Sequence, residues 1–298
     1  MRALVFGATG FLGRHVAAAF TDGGHLVVGA GLDGPDETLD LAATGPAGIG
    51  ALLRTVRPDV VVNCAGVIDG TPRQLVSADV RAVADLVTAW SETTPTAPLV
   101  HLGSAAEYGV TAIGRAVAED FPERPVSAYG QAKLAATCLV RLAREFGHPA
   151  VVLRVFNPIG PGTPQTLLPG RLAAEIRRAA RHGGRARLGS LSGARDFVDV
   201  RDVADAVLAA ATAAPLLPPV LNIGSGHATE LRDLAVLAAS LAGTGMPEET
   251  AVPPPRRSAA ALWQRADVSA ARSSLAWRPR RALTDSLRDM GLLTAGAG

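Results

Sequence analysis

Three glycines directly after the first apolar segment constrain the fold of this chain more than any other feature. Gly7-Ala8-Thr9-Gly10-Phe11-Leu12-Gly13 follows the predicted strand Ala3 to Phe6 and opens a segment with helical periodicity. Glycines at this spacing let the backbone turn tightly and approach a pyrophosphate, whose charge then meets free N–H groups and the helix dipole. The pattern therefore predicts a loop that binds a dinucleotide. Its predicted cofactor contacts are Gly7, Thr9, Gly10, Phe11, Leu12 and Gly13.

Short apolar segments alternate with helical segments through the first half of the chain. The predicted strands are Ala3 to Phe6, Leu26 to Ala30, Val60 to Asn63, Leu99 to Gly103 and Val151 to Val155. This alternation predicts an α/β fold with a doubly wound parallel sheet of the Rossmann type. After residue 157 the chain is richer in Gly and Pro. We expect a dinucleotide-binding domain at 1–156 and mainly a smaller substrate-binding lobe at 157–298, with segments around 195–225 returning to the Rossmann core.

The end of the second predicted strand leaves the choice of cofactor open. An acid at this place binds the ribose of NAD, whereas an arginine accommodates the extra phosphate of NADP. Asp33 is the nearest acid, although it lies a residue or two beyond the usual position, and no arginine is close in sequence. We expect NAD(P)(H) as cofactor with Asp33 at its ribose, and the sequence does not decide between NAD and NADP.

A tyrosine and a lysine stand four residues apart at the start of a later helical segment. The spacing of Tyr129 and Lys133 places the phenol and the ammonium on one helix face, where the cation favours the ionised phenol. Ser104 follows the fourth predicted strand, at the sheet edge where open α/β folds bind ligands. We predict that Tyr129 exchanges a proton with a substrate oxygen that Ser104 also contacts.

Charge and composition exclude several other classes of protein. A formal net charge of +2 is too small for a typical nucleic-acid binder. No apolar run reaches the roughly 18 residues of a membrane span, and the histidines show no metal-ligand spacing. Cys64 and Cys138 lie in separate apolar segments, and the strand pattern starts at Met1 without a basic leader. We expect a cytoplasmic protein without a metal, a nucleic-acid partner or a membrane partner.

The ordered motifs resemble the extended short-chain dehydrogenase/reductase family, also called the NAD-dependent epimerase/dehydratase family, along nearly the whole chain. They are GATGFLG at 7–13, PDVVVNCAG at 58–66, GSAAEYG at 103–109, SAYGQAK at 127–133, RVFNPIGPG at 154–162, RDFVDVRDVADAV at 195–207, LNIGSG at 221–226 and WRPR at 277–280. Within the family, the segments GSAAEYG, FNPIGPG and LGSLSGARDFVDVRDV are most similar to GDP-6-deoxy-D-mannose reductases, which are 4-keto sugar reductases.

The resemblance implies roles for several side chains. Ser104, Tyr129 and Lys133 become the catalytic residues, and Tyr129 and Lys133 also contact the cofactor, Lys133 at its nicotinamide ribose. Asn157 and Arg195 are expected at the diphosphate of a nucleotide-linked substrate, because a guanidinium binds phosphate through two hydrogen bonds. The remaining expected contacts are Ala65 at the cofactor and Ser104, Ala105 and Arg257 at the substrate, with Trp263 as a further candidate for the nucleotide pocket.

The chain lacks the acid-base pair of the family dehydratases and has an aspartate where the family often has an asparagine. Family dehydratases carry an Asp-Glu pair directly after the catalytic Ser or Thr, whereas this chain has Ala105 and Ala106, and Glu107 comes one position too late. Without that acid and base we expect no elimination of water. Asp79 stands where the family often has Asn, a change expected to affect the nicotinamide end of the pocket.

Several functions fit these residues. The first is an NAD(P)H-dependent reductase of a nucleotide-linked 4-keto-6-deoxysugar, with hydride delivered to C4. A nucleotide-sugar 4-epimerase would use the same three catalytic residues and keep its NAD bound, and a ketoreductase of a non-sugar natural product would have no diphosphate to bind. A non-catalytic dinucleotide sensor is disfavoured by the intact Ser104, Tyr129 and Lys133. The family resemblance also implies a homodimer.

Overall fold

The computed structural model describes residues 1–213, 217–250 and 262–293. Its strands are β1 (Arg2–Phe6), β2 (Leu26–Gly31), β3 (Glu37–Thr38), β4 (Val60–Asn63), β5 (Leu99–Ser104), β6 (Ala150–Val155), β7 (Asn157–Ile159), β8 (Arg187–Leu188), β9 (Ala194–Asp199), β10 (Val220–Ile223), β11 (Ala228–Glu230) and β12 (Glu248–Glu249). Its α-helices are α1 (Phe11–Asp22), α2 (Leu41–Val56), α3 (Pro72–Leu75), α4 (Ala82–Thr93), α5 (Ala128–Glu145), α6 (Leu168–His182), α7 (Val200–Thr212), α8 (Leu231–Leu241), α9 (Ser269–Leu275) and α10 (Leu283–Asp289). A π-helical turn covers Val76–Arg81, and a 3-10 turn covers Ala105–Glu107.

A seven-stranded sheet forms the centre of the molecule, in the order β10-β6-β5-β4-β1-β2-β3. All of its strand pairs are parallel. The predicted doubly wound α/β fold is therefore confirmed. The segment around Leu221 returns to this sheet as β10, whereas the division of the chain into a cofactor domain and a substrate lobe stays a prediction.

Side chains that alternate along the strands build a core on each face of the sheet. In β1, Ala3 and Val5 face a cluster that includes Phe20 of α1, whereas Leu4 and Phe6 face the opposite cluster. That second cluster contains residues of α2, α4 and α5, and Trp90 is completely buried in it. Because both faces are covered, the strands are almost uniformly apolar, as expected of a parallel sheet.

The strand order reverses at β1, and this reversal positions the site. From β1 the chain proceeds outward to β2 and β3 on one side and to β4, β5 and β6 on the other. The crevice at the carboxyl ends of such strands is the usual ligand site of open α/β folds. Gly7 directly follows β1, and Ser104 is the last residue of β5.

A second sheet extends the crevice beyond the carboxyl end of β6. The strands β7, β9 and β11 form this sheet, with β9 in the middle. A third core packs α6, α8 and α10 against it, with Ile159, Phe197 and Leu234 among its buried residues. In the described part of the chain, no helix is both long and apolar enough to cross a membrane.

Candidate active site

The glycine loop has the geometry that a bound pyrophosphate requires. Gly7 has a φ of +73°, in the left-handed region that glycine adopts without strain. A Cβ at residue 13 would lie 2.0 Å from the carbonyl oxygen of Gly7, so only a glycine lets α1 begin this close to β1. The amide of Gly10 donates to the carbonyl of Gly7 at 3.0 Å, which closes the turn. The first N–H groups of α1 have no carbonyl partner within the helix and are available to an anion.

Ser104 is held at the end of β5 by a buried carboxylate. Glu107 accepts a hydrogen bond from the amide of Ser104 at 2.7 Å and an ion-paired hydrogen bond from Arg154 at 2.7 Å. Both charged side chains are fully buried, and Glu123 also pairs with Arg154. The hydroxyl of Ser104 accepts from the amide of Ala106 at 3.2 Å, which leaves its proton for a substrate oxygen.

Close contact between α5 and the 3-10 turn brings Tyr129 toward Ser104. The side chain of Ser127 caps α5 by accepting from the amide of Gly130 at 3.1 Å. A Cβ on Gly130 would lie 2.5 Å from the carbonyl oxygen of Ala106, so glycine is required for this approach. Tyr129 is half-buried and lines the same cavity as Ser104.

The Lys133 ammonium lies in the floor of the site with two partners. Its Nζ donates to the carbonyl of Leu102 at 3.0 Å and lies 3.4 Å from Oδ1 of Asp79. Burial lowers the pKa of Lys133, but the Tyr129 oxygen in its ionised form and the carboxylates of Asp79 and Glu107 raise it by more, so the pKa lies above the ordinary value. Lys133 therefore carries a positive charge beside the Tyr129 phenol at neutral pH.

One cavity of about 920 Å³ contains this machinery and continues to the second sheet. Ten of the predicted site residues line it, namely Gly10, Phe11, Leu12, Ala65, Ser104, Ala105, Tyr129, Lys133, Asn157 and Arg195. Gly7 and Gly13 act behind it by shaping the loop, and Thr9 is also outside the lining. Asp33 is exposed beyond the end of β2 and does not line the cavity.

Arg195 and Asn157 reach the cavity from the second sheet. Arg195, on β9, is buried, and its guanidinium donates to the carbonyl of Ala194 at 2.9 Å. Burial lowers the pKa of Arg195, so the charged form gains from an anion beside it. The amide of Asn157 donates to the carbonyl of Asp196 at 2.9 Å, which joins β7 to β9 and commits one of its two N–H groups to the fold.

Part of the segment predicted to cover the nucleotide falls outside the described residues. Arg257 lies outside the described residues, so its role stays a prediction. Trp263 forms a bridge with Ala194 and stacks against the Arg265 guanidinium at 5.6 Å, but it is not among the described residues that line the cavity. Its neighbour Gln264 does line the cavity, and its side-chain amide donates to the carbonyl of Ala105 at 3.3 Å.

Two arginines of the cavity were missed by the sequence reasoning. Arg171 of α6 and Arg187 of β8 line its outer part, together with the carboxylate of Glu175. Neither arginine stands in a recognisable motif, and both belong to a segment with several other arginines, at 177, 178, 181 and 185. An excess of arginine in the segment was the only signal, and it does not say which members face the cavity.

The arrangement fits a dinucleotide and a carbonyl or alcohol substrate. The glycine loop offers backbone N–H groups to a pyrophosphate, and Ala65 lies so close that a Cβ on Gly7 would be 2.8 Å from its Cα. The hydroxyl of Ser104, the phenol of Tyr129 and the ammonium of Lys133 belong to residues that line the same cavity. Such a set can hold an oxygen and exchange a proton with it.

Comparisons with known proteins agree with this geometry. The chain is 39% identical over 302 residues to dTDP-6-deoxy-L-talose 4-dehydrogenase (NAD(P)(+)) of Kitasatospora kifunensis, covering 97% of this chain and 94% of the relative. It is 28% identical over 302 residues to GDP-6-deoxy-D-mannose reductase of Pseudomonas aeruginosa, covering 96% and 95%.

Solved structures share the fold over the whole chain. The UDP-glucose 4-epimerase of Thermus thermophilus, in complex with NAD, aligns over 100% of both chains with a TM-score of 0.86 and 24% identity. RMD from Pseudomonas aeruginosa, in complex with NADPH, has a TM-score of 0.83 and 24% identity and covers 97% of each chain.

The sequence pattern of one family extends over most of the chain. The NAD dependent epimerase/dehydratase family matches residues 3–224, from β1 through β10. The resemblance to extended short-chain dehydrogenases is thereby confirmed, as is NAD(P)(H) as the cofactor with the choice between its two forms open. The chain belongs to the NAD dependent epimerase/dehydratase family.

Proposed function

We propose that this protein is an NAD(P)H-dependent reductase of a nucleotide-linked 4-keto-6-deoxysugar. One observation carries the proposal: a single cavity joins Ser104, Tyr129 and Lys133 to the buried Arg195. The first three residues suit the exchange of a proton with a sugar oxygen, and Arg195 suits a diphosphate. The 39% sequence identity to a dTDP-6-deoxy-L-talose 4-dehydrogenase supports oxidation and reduction at C4 of a 6-deoxysugar.

The residues of the chain supply the proton and hold the oxygen. When bound, the reduced nicotinamide supplies a hydride to the carbonyl carbon. Ser104 donates a hydrogen bond to the carbonyl oxygen, and Tyr129 transfers its phenolic proton to that oxygen as negative charge develops on it. The ammonium of Lys133 stabilises the phenolate that remains. In the reverse direction the phenolate takes the proton of the alcohol.

The residues after Ser104 support reduction over dehydration. Ala105 and Ala106 line the cavity beside the serine and offer neither an acid nor a base. Glu107 has no such role, because it is fully buried and pairs with Arg154 at 2.7 Å behind the serine. An elimination would need a group to protonate the departing hydroxyl and another to remove a proton.

The far end of the cavity suits the diphosphate of the substrate. Arg195, Arg171 and Arg187 line it, and the one acid among the described lining residues is Glu175. Glu175 accepts a hydrogen bond from Arg178 at 2.9 Å, which lowers its pKa and neutralises its charge. The lining therefore keeps a positive balance that a nucleoside diphosphate would satisfy.

The direct test is to mix the purified protein with NADH or NADPH and with GDP- or dTDP-linked 4-keto-6-deoxyhexoses, and to follow the loss of reduced-nicotinamide absorbance. We expect oxidation of the cofactor with one of these sugars, whose nucleotide the assay identifies. Purified protein that retains NAD and equilibrates two C4 epimers without consuming NADH would establish the 4-epimerase instead. Oxidation with a non-sugar ketone alone would contradict the role of Arg195 at a diphosphate.

The homodimer and the cytoplasmic location remain proposals. The helices α4 and α5 pack on the same face of the sheet, and α5 carries exposed apolar side chains at Leu142 and, just past its end, Phe146. Such a surface suits a helix-to-helix contact between two copies. Sedimentation of the purified protein tests the stoichiometry.

A further inference from the structure

A buried acid that the proposed mechanism does not use lies beside the catalytic lysine. Asp79 belongs to the π-helical turn Val76–Arg81 and is 1% exposed. Its Oδ1 is 3.4 Å from Nζ of Lys133, which is also buried. Turns of this kind occur often at functional sites. Two opposite charges this close in the protein interior influence every charge next to them.

The backbone leaves space for this ion pair. A Cβ at Gly66, just after β4, would lie 2.5 Å from Oδ1 of Asp79 and 3.3 Å from Nζ of Lys133. A side chain at this position would therefore displace the Asp79 carboxylate from its place beside the ammonium. An asparagine at position 79 would have nearly the same shape as the aspartate and would carry no charge.

We propose that Asp79 is a positioning residue that holds the Lys133 ammonium and offsets part of the positive charge that Lys133 presents to Tyr129, which favours the protonated phenol that ketone reduction uses. The inference rests on the proposed function for its last clause only. An uncompensated ammonium would stabilise the phenolate more strongly and would favour removal of a proton from an alcohol. The charge at position 79 thus sets the pH range in which each direction is fast, without a change in the equilibrium between ketone and alcohol.

The other titratable groups around Lys133 do not replace this carboxylate. Burial raises the pKa of the Cys64 thiol to about 12, so the thiol is neutral. Burial, and secondarily the charge of Lys133, lower the pKa of His101 well below its ordinary value, so the imidazole is neutral as well. Glu107 is negative, but its charge is paired with Arg154 at 2.7 Å. Asp79 is therefore the acid whose charge acts mainly on Lys133.

The pH range follows from the carboxyl group of Asp79. Burial raises its pKa above the ordinary value, and the charge of Lys133 opposes the rise. The carboxylate therefore exerts its effect above that raised pKa and loses it as the pH falls through the pKa. A test of the proposal belongs on the alkaline side.

The chain has only two tyrosines, which permits a direct measurement of Tyr129 without any substrate. Burial raises the pKa of Tyr108 to about 12, and its hydroxyl donates to Asn222 at 2.7 Å. At alkaline pH values below those at which Tyr108 ionises, the ultraviolet absorbance of tyrosinate therefore reports Tyr129. A Tyr129→Phe variant supplies the baseline. We expect the midpoint of this titration to fall by about one pH unit in Asp79→Asn.

Asp85→Asn is the matched control. Asp85 lies on α4, which continues the helical turn of Asp79, but it pairs with Arg81 at 3.8 Å near the surface. Its removal should leave the titration midpoint unchanged. A midpoint in Asp79→Asn that is unchanged or higher, in protein whose circular dichroism matches the wild type, would overturn the proposal.

A second measurement separates this inference from the proposed function. With the sugar substrate identified, the alkaline limb of the reduction rate and the acidic limb of the alcohol oxidation rate should both move to lower pH in Asp79→Asn. At a fixed neutral pH and saturating substrates, the ratio of kcat for oxidation to kcat for reduction should rise up to about tenfold. If no sugar is reduced but the tyrosinate midpoint shifts, the proposed substrate is wrong and the role of Asp79 stands. If the pH limbs of the two rates do not move in Asp79→Asn, the role of Asp79 is wrong.

Discussion

The two sides of the cavity are built from the sequence in different ways. On the cofactor side, each functional group belongs to a short segment: the phosphate loop spans residues 7–13, and Tyr129 and Lys133 lie one helical turn apart. On the substrate side, Asn157, Arg195 and Gln264 come from three distant segments that meet only in the folded chain. The groups on the cofactor side thus lie in motifs that can be recognised locally, although Ser104 joins them only in the folded chain, whereas the contacts on the substrate side depend on tertiary structure throughout.

A single buried carboxylate holds the segments of the substrate side together. Asp196, on β9, accepts hydrogen bonds from the amides of Ser225 at 2.6 Å, Gly226 at 3.0 Å and Ala266 at 2.9 Å. Burial raises its pKa, and these N–H donors oppose the rise. The neighbouring residue on β9 is Arg195, so the network that joins the segments also fixes the position of the arginine.

The largest effect is expected on the cofactor side. Tyr129→Phe removes the proton donor and keeps the ring, so kcat should fall by about 10² to 10⁴-fold. The affinity for the cofactor should change little, because the glycine loop and Lys133 remain. Steady-state kinetics and a fluorescence titration with NADH measure the two quantities separately.

Tyr108→Phe is the control for that substitution. The Tyr108 hydroxyl donates to Asn222 in the core and does not line the cavity. Its loss should lower the free energy of unfolding by about 1–3 kcal/mol, since a buried acceptor loses its donor, and should preserve turnover. Comparable turnover in Tyr129→Phe and the wild type would mean that Tyr129 is not the proton donor, and the cofactor side would lose its catalytic motif.

A smaller effect of a different kind is expected on the substrate side. Arg195→Ala should raise KM for a nucleotide-linked sugar by about 10 to 100-fold, the range for a lost charged hydrogen bond, with kcat nearly unchanged. Arg288→Gln changes a surface arginine that pairs with Asp285 at 3.1 Å and should leave both constants unchanged. A fall in kcat without a change in KM would mean that Arg195 serves the reacting centre, and the two sides would not be separate.

The same contrast explains what the sequence could predict. The five strands expected from apolar runs are all present, each within one residue of its predicted start and end. Ser104, Tyr129 and Lys133 converge on one cavity because the ends of parallel strands and the first turn of a following helix share one edge of the sheet. Periodicity and local motifs are sufficient for both results.

Other features of the site could not be predicted in this way. Asp79 stood out only as a departure from a family pattern, and its contact with Lys133 depends on a π-helical turn for which the sequence has no known signal. Arg171 and Arg187 line the cavity because of how α6 and β8 pack. The sequence does not distinguish them from the other arginines of the same segment. Asn157 was expected at the substrate, but its hydrogen bond to the carbonyl of Asp196 depends on the pairing of β7 with β9, which the sequence does not predict.

The smallest effect concerns the choice between NAD and NADP, at the outer end of the cofactor side. The chain has no Lys or Arg from residue 26 to 53, whereas Asp33, Asp36 and Glu37 follow β2. The carboxylate of Asp36 accepts a hydrogen bond from the amide of Gly29 at 2.7 Å, so its negative charge lies against the end of β2. We expect NADH to exceed NADPH in kcat/KM by about tenfold, because the extra phosphate would meet like charges.

The acids directly after β2 test whether the cofactor preference, too, is set by a short segment of the sequence. If the acids after β2 set the preference, Asp33→Asn should reduce the ratio of the two kcat/KM values, because Asp33 follows β2, where an acid is expected near the ribose 2′ position. The same change at Asp59, whose carboxylate accepts from the amide of Arg2 at 2.6 Å at the opposite end of β1, should not alter the ratio. A wild-type protein that prefers NADPH would require a cation brought in from a distant segment, and the cofactor side would then depend on tertiary structure just as the substrate side does.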